Sequence, residues 1–302
     1  MKLNELATYL GLDFSGIIPD KIDFPFKITT SWAKKIRPGD LHDPLLLQVL
    51  PQLAEDEIVS GYSNNPLNET EFVKVPGLLH KYRGKVLIEA SDQCALNCRF
   101  CFRRYLRGAV QDWQKVVAYL ENDPTIHEAI LSGGDPLVIP QRKLQMILKL
   151  LSQIKHLKRI RIHTRVPLVL PELITRKWLR NLDAALLPLV MVIHCNHPEE
   201  INDEVIRALQ LLRSYGITLF NQSVLLKGIN DQSEILIELS EKLFAAGVIP
   251  YYLHQLDRVQ GASHFAVELT RARELHTVLK RSLPGYLVPK LIRETLIEKT
   301  YL

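Results

Sequence analysis

Cysteine is scarce in this chain, at four in 302 residues, too few to build a disulfide framework. Long apolar runs are missing as well. The longest nearly unbroken one, 184–193, contains Pro188 and falls well short of the ~20 residues of a membrane helix, so no span is expected. No sign of charge dominates: 38 basic against 33 acidic residues give +5, and the basic residues are scattered rather than massed. That balance fits an enzyme handling anionic ligands better than a dedicated nucleic-acid binder. Residues 1–20 mix Lys2, Glu5 and Asp13 among apolar positions, with no basic stretch leading into a long apolar core. No secretory signal is read there, and a cytoplasmic location is expected. Glycine is low at 14, whereas 47% apolar and 24% charged residues are ordinary for a folded chain and exclude disorder and fibrous architectures.

What is present is an alternation. Short β-rich runs recur at 86–90, 128–131, 159–163, 189–194, 217–221 and 249–254, and segments of helical period separate them. Leu144, Ile147, Leu148, Leu151 and Ile154 make one stripe; Val205, Leu209 and Leu212 make a second behind an Asn202 cap; Leu236, Leu239 and Leu243 make a third, closed by Gly247. Strand alternating with helix predicts an α/β fold of parallel strands joined by right-handed crossovers, a partial (β/α)6 barrel. The expected organisation is a mainly helical N-terminal extension over 1–84, the barrel over 85–269, and a C-terminal helix with a Pro-marked segment over 270–302.

Polar residues gather where each strand ends: Ser91-Asp92-Gln93-Cys94, Ser132-Gly133-Gly134-Asp135, His163-Thr164-Arg165, His194-Cys195-Asn196-His197, Asn221-Gln222-Ser223 and His254-Gln255-Leu256-Asp257. Parallel α/β sheets bind ligands at the carboxyl ends of their strands, so these tips predict one shared site.

Three of the four cysteines, Cys94, Cys98 and Cys101, fall in the loop after the first barrel strand. Three thiolates there can hold three irons of a 4Fe–4S cluster and leave the fourth open to a ligand. A zinc site completed by Cys195 or a histidine is the rival reading. Gly133-Gly134-Asp135 weighs against it, because glycines at a strand tip let a bound ligand approach the backbone closely. The cysteine spacing on this loop resembles the radical S-adenosylmethionine (SAM) superfamily, in which SAM chelates the open iron.

Longer segments make the resemblance narrower. Val75-Pro76-Gly77-Leu78-Leu79-His80-Lys81-Tyr82, Cys98-Arg99-Phe100-Cys101-Phe102-Arg103-Arg104, Leu131-Ser132-Gly133-Gly134-Asp135-Pro136-Leu137, His194-Cys195-Asn196-His197-Pro198, and 221–231 resemble the lysine 2,3-aminomutase family. Residues 250–257 and 283–291 are most similar to its branch that makes (R)-β-lysine from (S)-α-lysine for elongation factor P. The resemblance implies an isomerase with three cofactors: a 4Fe–4S cluster on Cys94, Cys98 and Cys101, SAM beside Gly133, Gly134 and Asp135, and pyridoxal 5′-phosphate (PLP) on a lysine near the C-terminus. It implies Arg103 as the partner of the substrate carboxylate, Asp257 and Glu294 as partners of the ε-ammonium, a reducing electron donor, and a functional link to elongation factor P and its lysine ligase.

Family members carry a glycine-rich run before the PLP lysine, and this chain has none. Aligning 285–289 sets Lys299, within Ile297-Glu298-Lys299-Thr300, opposite that lysine and Glu294 opposite a family acid; Lys290 is the competitor. His163, Arg165, His194, Asn196 and His197 are candidates for supporting contacts to SAM or the PLP phosphate, and Cys195 is expected to pack as a small buried residue. Two other functions stay open on sequence: a PLP-free radical SAM enzyme, and a non-catalytic metal-binding regulator of a translation factor. The sequence leaves the oligomeric state, the electron donor, and free lysine against a lysyl-protein as substrate undecided.

Overall fold

The structure is a computed structural model that describes residues 1–106, 108–295 and 299–302. Ile297 and Glu298, quoted above in the Lys299 register, lie outside the described residues.

Among the described residues, ten strands form one sheet whose spatial order is the chain order: β1 (Val73–Val75), β2 (Leu78–Tyr82), β3 (Lys85–Ser91), β4 (Glu128–Gly133), β5 (Arg159–Thr164), β6 (Leu189–Ile193), β7 (Thr218–Leu225), β8 (Ile249–Gln255), β9 (Lys290–Glu294) and β10 (Lys299–Tyr301). From β3 to β9 every neighbour is parallel. The six expected barrel strands are therefore present in order and are followed by a seventh parallel strand, β9. At the two edges the chain doubles back: β1 and β2 run antiparallel beside β3, and β10 runs antiparallel beside β9.

The crossover helices form where the periodicity places them. Helix Gln141–Ser152 buries Leu144, Ile147, Leu148 and Leu151, each contributing roughly 1.5–3 kcal/mol by removal from water. Helix Asp203–Ser214 starts at Asn202, whose side chain accepts from Val205 N at 3.1 Å. Helix Ser233–Ala245 buries Leu236, Leu239 and Leu243 against the sheet. None of the described helices is long and apolar enough to cross a membrane.

Three features differ from the expectation. The N-terminal extension contributes helix Leu3–Leu10 and two four-residue helices, Thr30–Ala33 and Pro44–Leu47, but its last twelve residues supply β1 and β2. The segment 270–302 holds helix Leu269–Ser282 and also β9 and β10. Strand β7 runs on to Leu225, so Asn221 and Ser223 are buried ladder residues, not a tip: Asn221 Oδ1 accepts from Cys195 N at 2.9 Å, and Ser223 Oγ donates to Cys195 O at 2.7 Å. These bonds tie β7 to the end of β6, where a buried backbone would otherwise lack partners.

Candidate functional site

A cavity of about 310 Å³ opens at the carboxyl ends of the parallel strands. Cys94, Cys98 and Cys101 line it, as do Gly133, Gly134 and Asp135, and so do Arg103, Asp257, Glu294 and Lys299. Residues more than 200 positions apart thus share one chamber.

The cysteine loop is shaped from outside by the N-terminal extension. Arg99 N donates to Gln48 O at 2.9 Å and Asn97 N to Lys27 O at 3.0 Å. Behind the loop, Glu55 accepts from Arg99 Nε at 2.7 Å and Nη2 at 2.5 Å and from Arg104 Nη2 at 2.6 Å, all buried. Both guanidiniums stack on Phe24, at 5.0 and 4.8 Å. One carboxylate between two cations in a dry setting fixes the loop that carries the thiols. The cysteines are not in disulfides, and among the described residues no three His, Cys, Asp or Glu side chains converge on a point that one metal ion could occupy. Cys195, the fourth ligand of the zinc reading, is wholly buried in the main core and does not line the cavity.

Gly133 adopts φ +100°, and Gly134 N and Asp135 N donate at 2.6 Å each to Ser91 O at the end of β3 and to Gln93 O in the loop after it. A Cβ at Gly134 would collide with the Gln93 backbone, so only glycine permits this close approach. Asp135 lines the cavity, yet its carboxylate is engaged by the framework: it accepts from Thr164 Oγ1 (2.8 Å), Arg165 N (2.7 Å), Val166 N (3.2 Å) and Leu137 N (3.0 Å). It fixes the turn, and the glycine backbone forms the wall.

At the other end, Lys299 lies directly across from Glu294 in the β9–β10 register. Burial, reinforced by the Lys85 and Arg161 charges and opposed by Glu294, brings its amine down to about 8. Lys290 is exposed beside Tyr301 and does not line the cavity. Asp257 is pushed up to about 7 by burial and by the nearby Glu294 and Glu69 charges. Arg103 is buried, and its fork is held by Glu89 Oε1 at 2.8 Å and Glu69 Oε1 at 2.5 Å. A substrate carboxylate therefore has two resident acids as competitors.

His163, Arg165 and His194 line the cavity, whereas Asn196 and His197 do not. Asn196 bonds Gln48 and Val224, and His197 caps the turn Pro198–Glu200. Burial holds His163 and His254 well below the usual histidine range, and the Nε2 of each is buried without a hydrogen-bond partner among the described residues. Burial and the Arg165 charge bring His194 to about 4. All three are neutral imidazoles at pH 7.

Sequence reading did not single out Lys81, Tyr82, Lys85, Glu69 or Arg161, which also line the cavity. Lys81 Nζ pairs with Glu294 Oε1 at 3.0 Å, and the Tyr82 hydroxyl donates to the same oxygen. These contacts join β2 to β9 across the open side of the barrel. The signal in sequence is Lys81-Tyr82, which closes the short strand that pairs with the first barrel strand.

Residues 88–239 match the Radical SAM superfamily. The chain is 44% identical over 287 residues to the L-lysine 2,3-aminomutase of Haemophilus influenzae, covering 93% of this chain and 85% of that one. It is 43% identical over 301 residues to that of Escherichia coli, at 96% and 87% coverage, and 36% identical over 299 residues to that of Clostridium subterminale, at 96% and 72%. Among solved structures, a radical SAM methyltransferase from Sphaerobacter thermophilus superposes with a TM-score of 0.51 at 17% identity, over 74% of this chain and 72% of that one, a likeness of fold.

Proposed function

Because the chain belongs to the lysine 2,3-aminomutases of the radical SAM superfamily, we propose that it converts (S)-α-lysine to (R)-β-lysine with PLP carried on Lys299. The observation that carries this reading is a single cavity lined by the three cysteines at one end and by a buried lysine of lowered basicity at the other.

The residues present fit the cofactors of the family. Three thiols on one loop match a cluster with one open iron, and the Gly133-Gly134 wall suits a ligand lying against backbone. The unpartnered Nε2 atoms of His163 and His254 are buried polar groups of the kind that a bound ligand completes. When bound, the cluster with SAM supplies a carbon radical able to take an unreactive hydrogen from Cβ of lysine, and PLP supplies a conjugated ring that carries the amino group and spreads the spin.

The protein's own part is binding and orientation. Cys94, Cys98 and Cys101 would hold the cluster. Lys299, neutral in an appreciable fraction near pH 8, supplies the amine that anchors PLP. Lys85 and Arg161, cations on the same lining, suit a phosphate. Arg103 takes the lysine carboxylate in exchange for one of its resident acids, and Asp257 with Glu294 takes the ε-ammonium. Arg103 and the Asp257–Glu294 pair, of opposite charge on the same lining, match the two charged ends of lysine and favour one orientation of it. Residues 250–257 and 283–291, which resemble the branch serving elongation factor P, support that factor and its lysine ligase as the destination of the β-lysine.

Anaerobic reconstitution with iron, sulfide, SAM and PLP, followed by product analysis with lysine, tests the reading. Formation of (R)-β-lysine supports it. SAM cleavage with lysine recovered unchanged would favour a PLP-free radical enzyme.

A further inference from the structure

Arg165 follows β5 and is not used in the assignments above. Its Nη1 donates to Cys98 Sγ at 2.7 Å. Its Nη2 donates to Gln48 Oε1 at 2.5 Å and Glu200 Oε2 at 3.1 Å. The guanidinium carbon lies 4.5 Å from the Trp32 ring centre and 5.7 Å from that of Phe100.

The acid behind it is equally fixed. Glu200 is fully buried and also accepts from Asn196 N at 2.9 Å, His197 N at 3.1 Å and Gln48 Nε2 at 3.1 Å. Three separate parts of the chain thus hold one cation on one sulfur: the turn after β5, the turn after β6, and the N-terminal extension through Gln48. A network of this cost, with every partner desolvated, does more than support packing, since an apolar cluster would fill the same space.

Hydrogen bonds to cluster sulfurs and charges held near them set the reduction potential of an iron–sulfur centre. Reduction adds one electron and makes the cluster more negative, so a fixed cation favours it and a fixed anion opposes it. The guanidinium touches the sulfur, whereas the carboxylate stands behind the guanidinium. The cation therefore dominates and the anion trims its effect.

We propose that Arg165 raises the reduction potential of the cluster through its charged hydrogen bond to Cys98, and that Glu200 and Gln48 are positioning residues that hold it there and set the size of the effect. The proposal rests on Cys98 being a cluster ligand. The step it tunes is the transfer of one electron from a low-potential donor to the oxidised cluster; no bond forms or breaks in that step.

The test uses the full chain reconstituted anaerobically with iron and sulfide, without SAM, titrated with dithionite and mediator dyes and read by electron paramagnetic resonance. Iron content is measured in parallel. Arg165→Gln is expected to shift the midpoint to more negative potential, and Glu200→Gln to more positive potential. Each shift should be about tenfold in the ratio of reduced to oxidised cluster at fixed potential, which is 59 mV for a one-electron couple. The double variant should fall between them. General loosening of the site cannot produce opposite signs from the two singles. If Arg165→Gln fails to load iron, Glu200→Gln carries the test: its amide oxygen and Gln48 Oε1 still accept from the guanidinium while the negative charge is gone, and an unchanged or negative midpoint shift there would overturn the proposal. An unchanged midpoint in iron-replete Arg165→Gln, or shifts of the same sign in both singles, would overturn the proposal. A full cluster in Cys98→Ala would overturn the ligand assignment instead, and the proposal with it.

Discussion

Lys299 Nζ stands 3.8 Å from Glu294 Oε2 and 4.4 Å from the centre of the Tyr252 ring. The pairing of β9 with β10 sets that distance, because it places the two residues opposite each other. The acid keeps the amine inside the cavity while burial reduces its basicity, a compromise that suits a lysine meant to react rather than only to carry charge.

The first prediction follows from that amine. Treatment with PLP and borohydride, then peptide mapping, should label Lys299, and labelling should rise with pH around 8. An exposed lysine would respond nearer 10.4. Lys299→Ala should lose the imine absorbance while retaining iron, and Lys290→Ala should keep both. Label on Lys290 would move the anchor.

Asp257 carries the second. Its carboxyl, raised to about 7, is neutral below that pH and charged above it. With lysine as substrate, kcat/KM should therefore fall as pH drops through about 7. Asp257→Asn should raise KM roughly 10- to 100-fold, the worth of one charged hydrogen bond, and flatten this part of the profile. A profile in Asp257→Asn identical to the parent would assign the ammonium site elsewhere.

Glu55 carries the third. Its removal leaves Arg99 and Arg104 buried without their shared anion, so Glu55→Ala should cost about 3–5 kcal/mol in urea unfolding of the iron-free protein. The cysteine loop should also load less iron. A loss under 1 kcal/mol would show that the loop does not depend on this anchor.

The fourth concerns the glycine wall. Gly134→Ala forces Cβ into the Gln93 backbone, one residue before Cys94. It should cost about 1–3 kcal/mol and lower iron loading and SAM binding together. Equilibrium SAM binding to the reconstituted variant measures it, and parental affinity would contradict the assigned contact.

The barrel was legible because short segments rich in β-branched and aliphatic residues, five to eight long as strands, alternate with helices that carry 3.6-residue stripes. The edges were not. Val73–Val75 and Lys299–Tyr301 are three residues each, and Lys290–Glu294 begins and ends in charge. Such segments become strands through the neighbour they pair with, which local pattern does not record. The cysteines and glycines announced themselves by spacing. Glu55, Gln48 and Glu69 did not, because each acts on a partner at least 34 positions away, and an isolated acid or amide in a loop carries no periodic signal. Asn221 was misread for the opposite reason: a buried, hydrogen-bonded side chain inside a strand looks in sequence like a polar strand end.

The central claim is that this cavity moves an amino group by a radical that is returned to SAM. Deuterium placed on C5′ of SAM tests it directly in the reconstituted enzyme supplied with lysine and a low-potential reductant. The account predicts deuterium in (R)-β-lysine, with SAM surviving many turnovers. One SAM consumed per turnover, with methionine released and no deuterium in β-lysine, would contradict it.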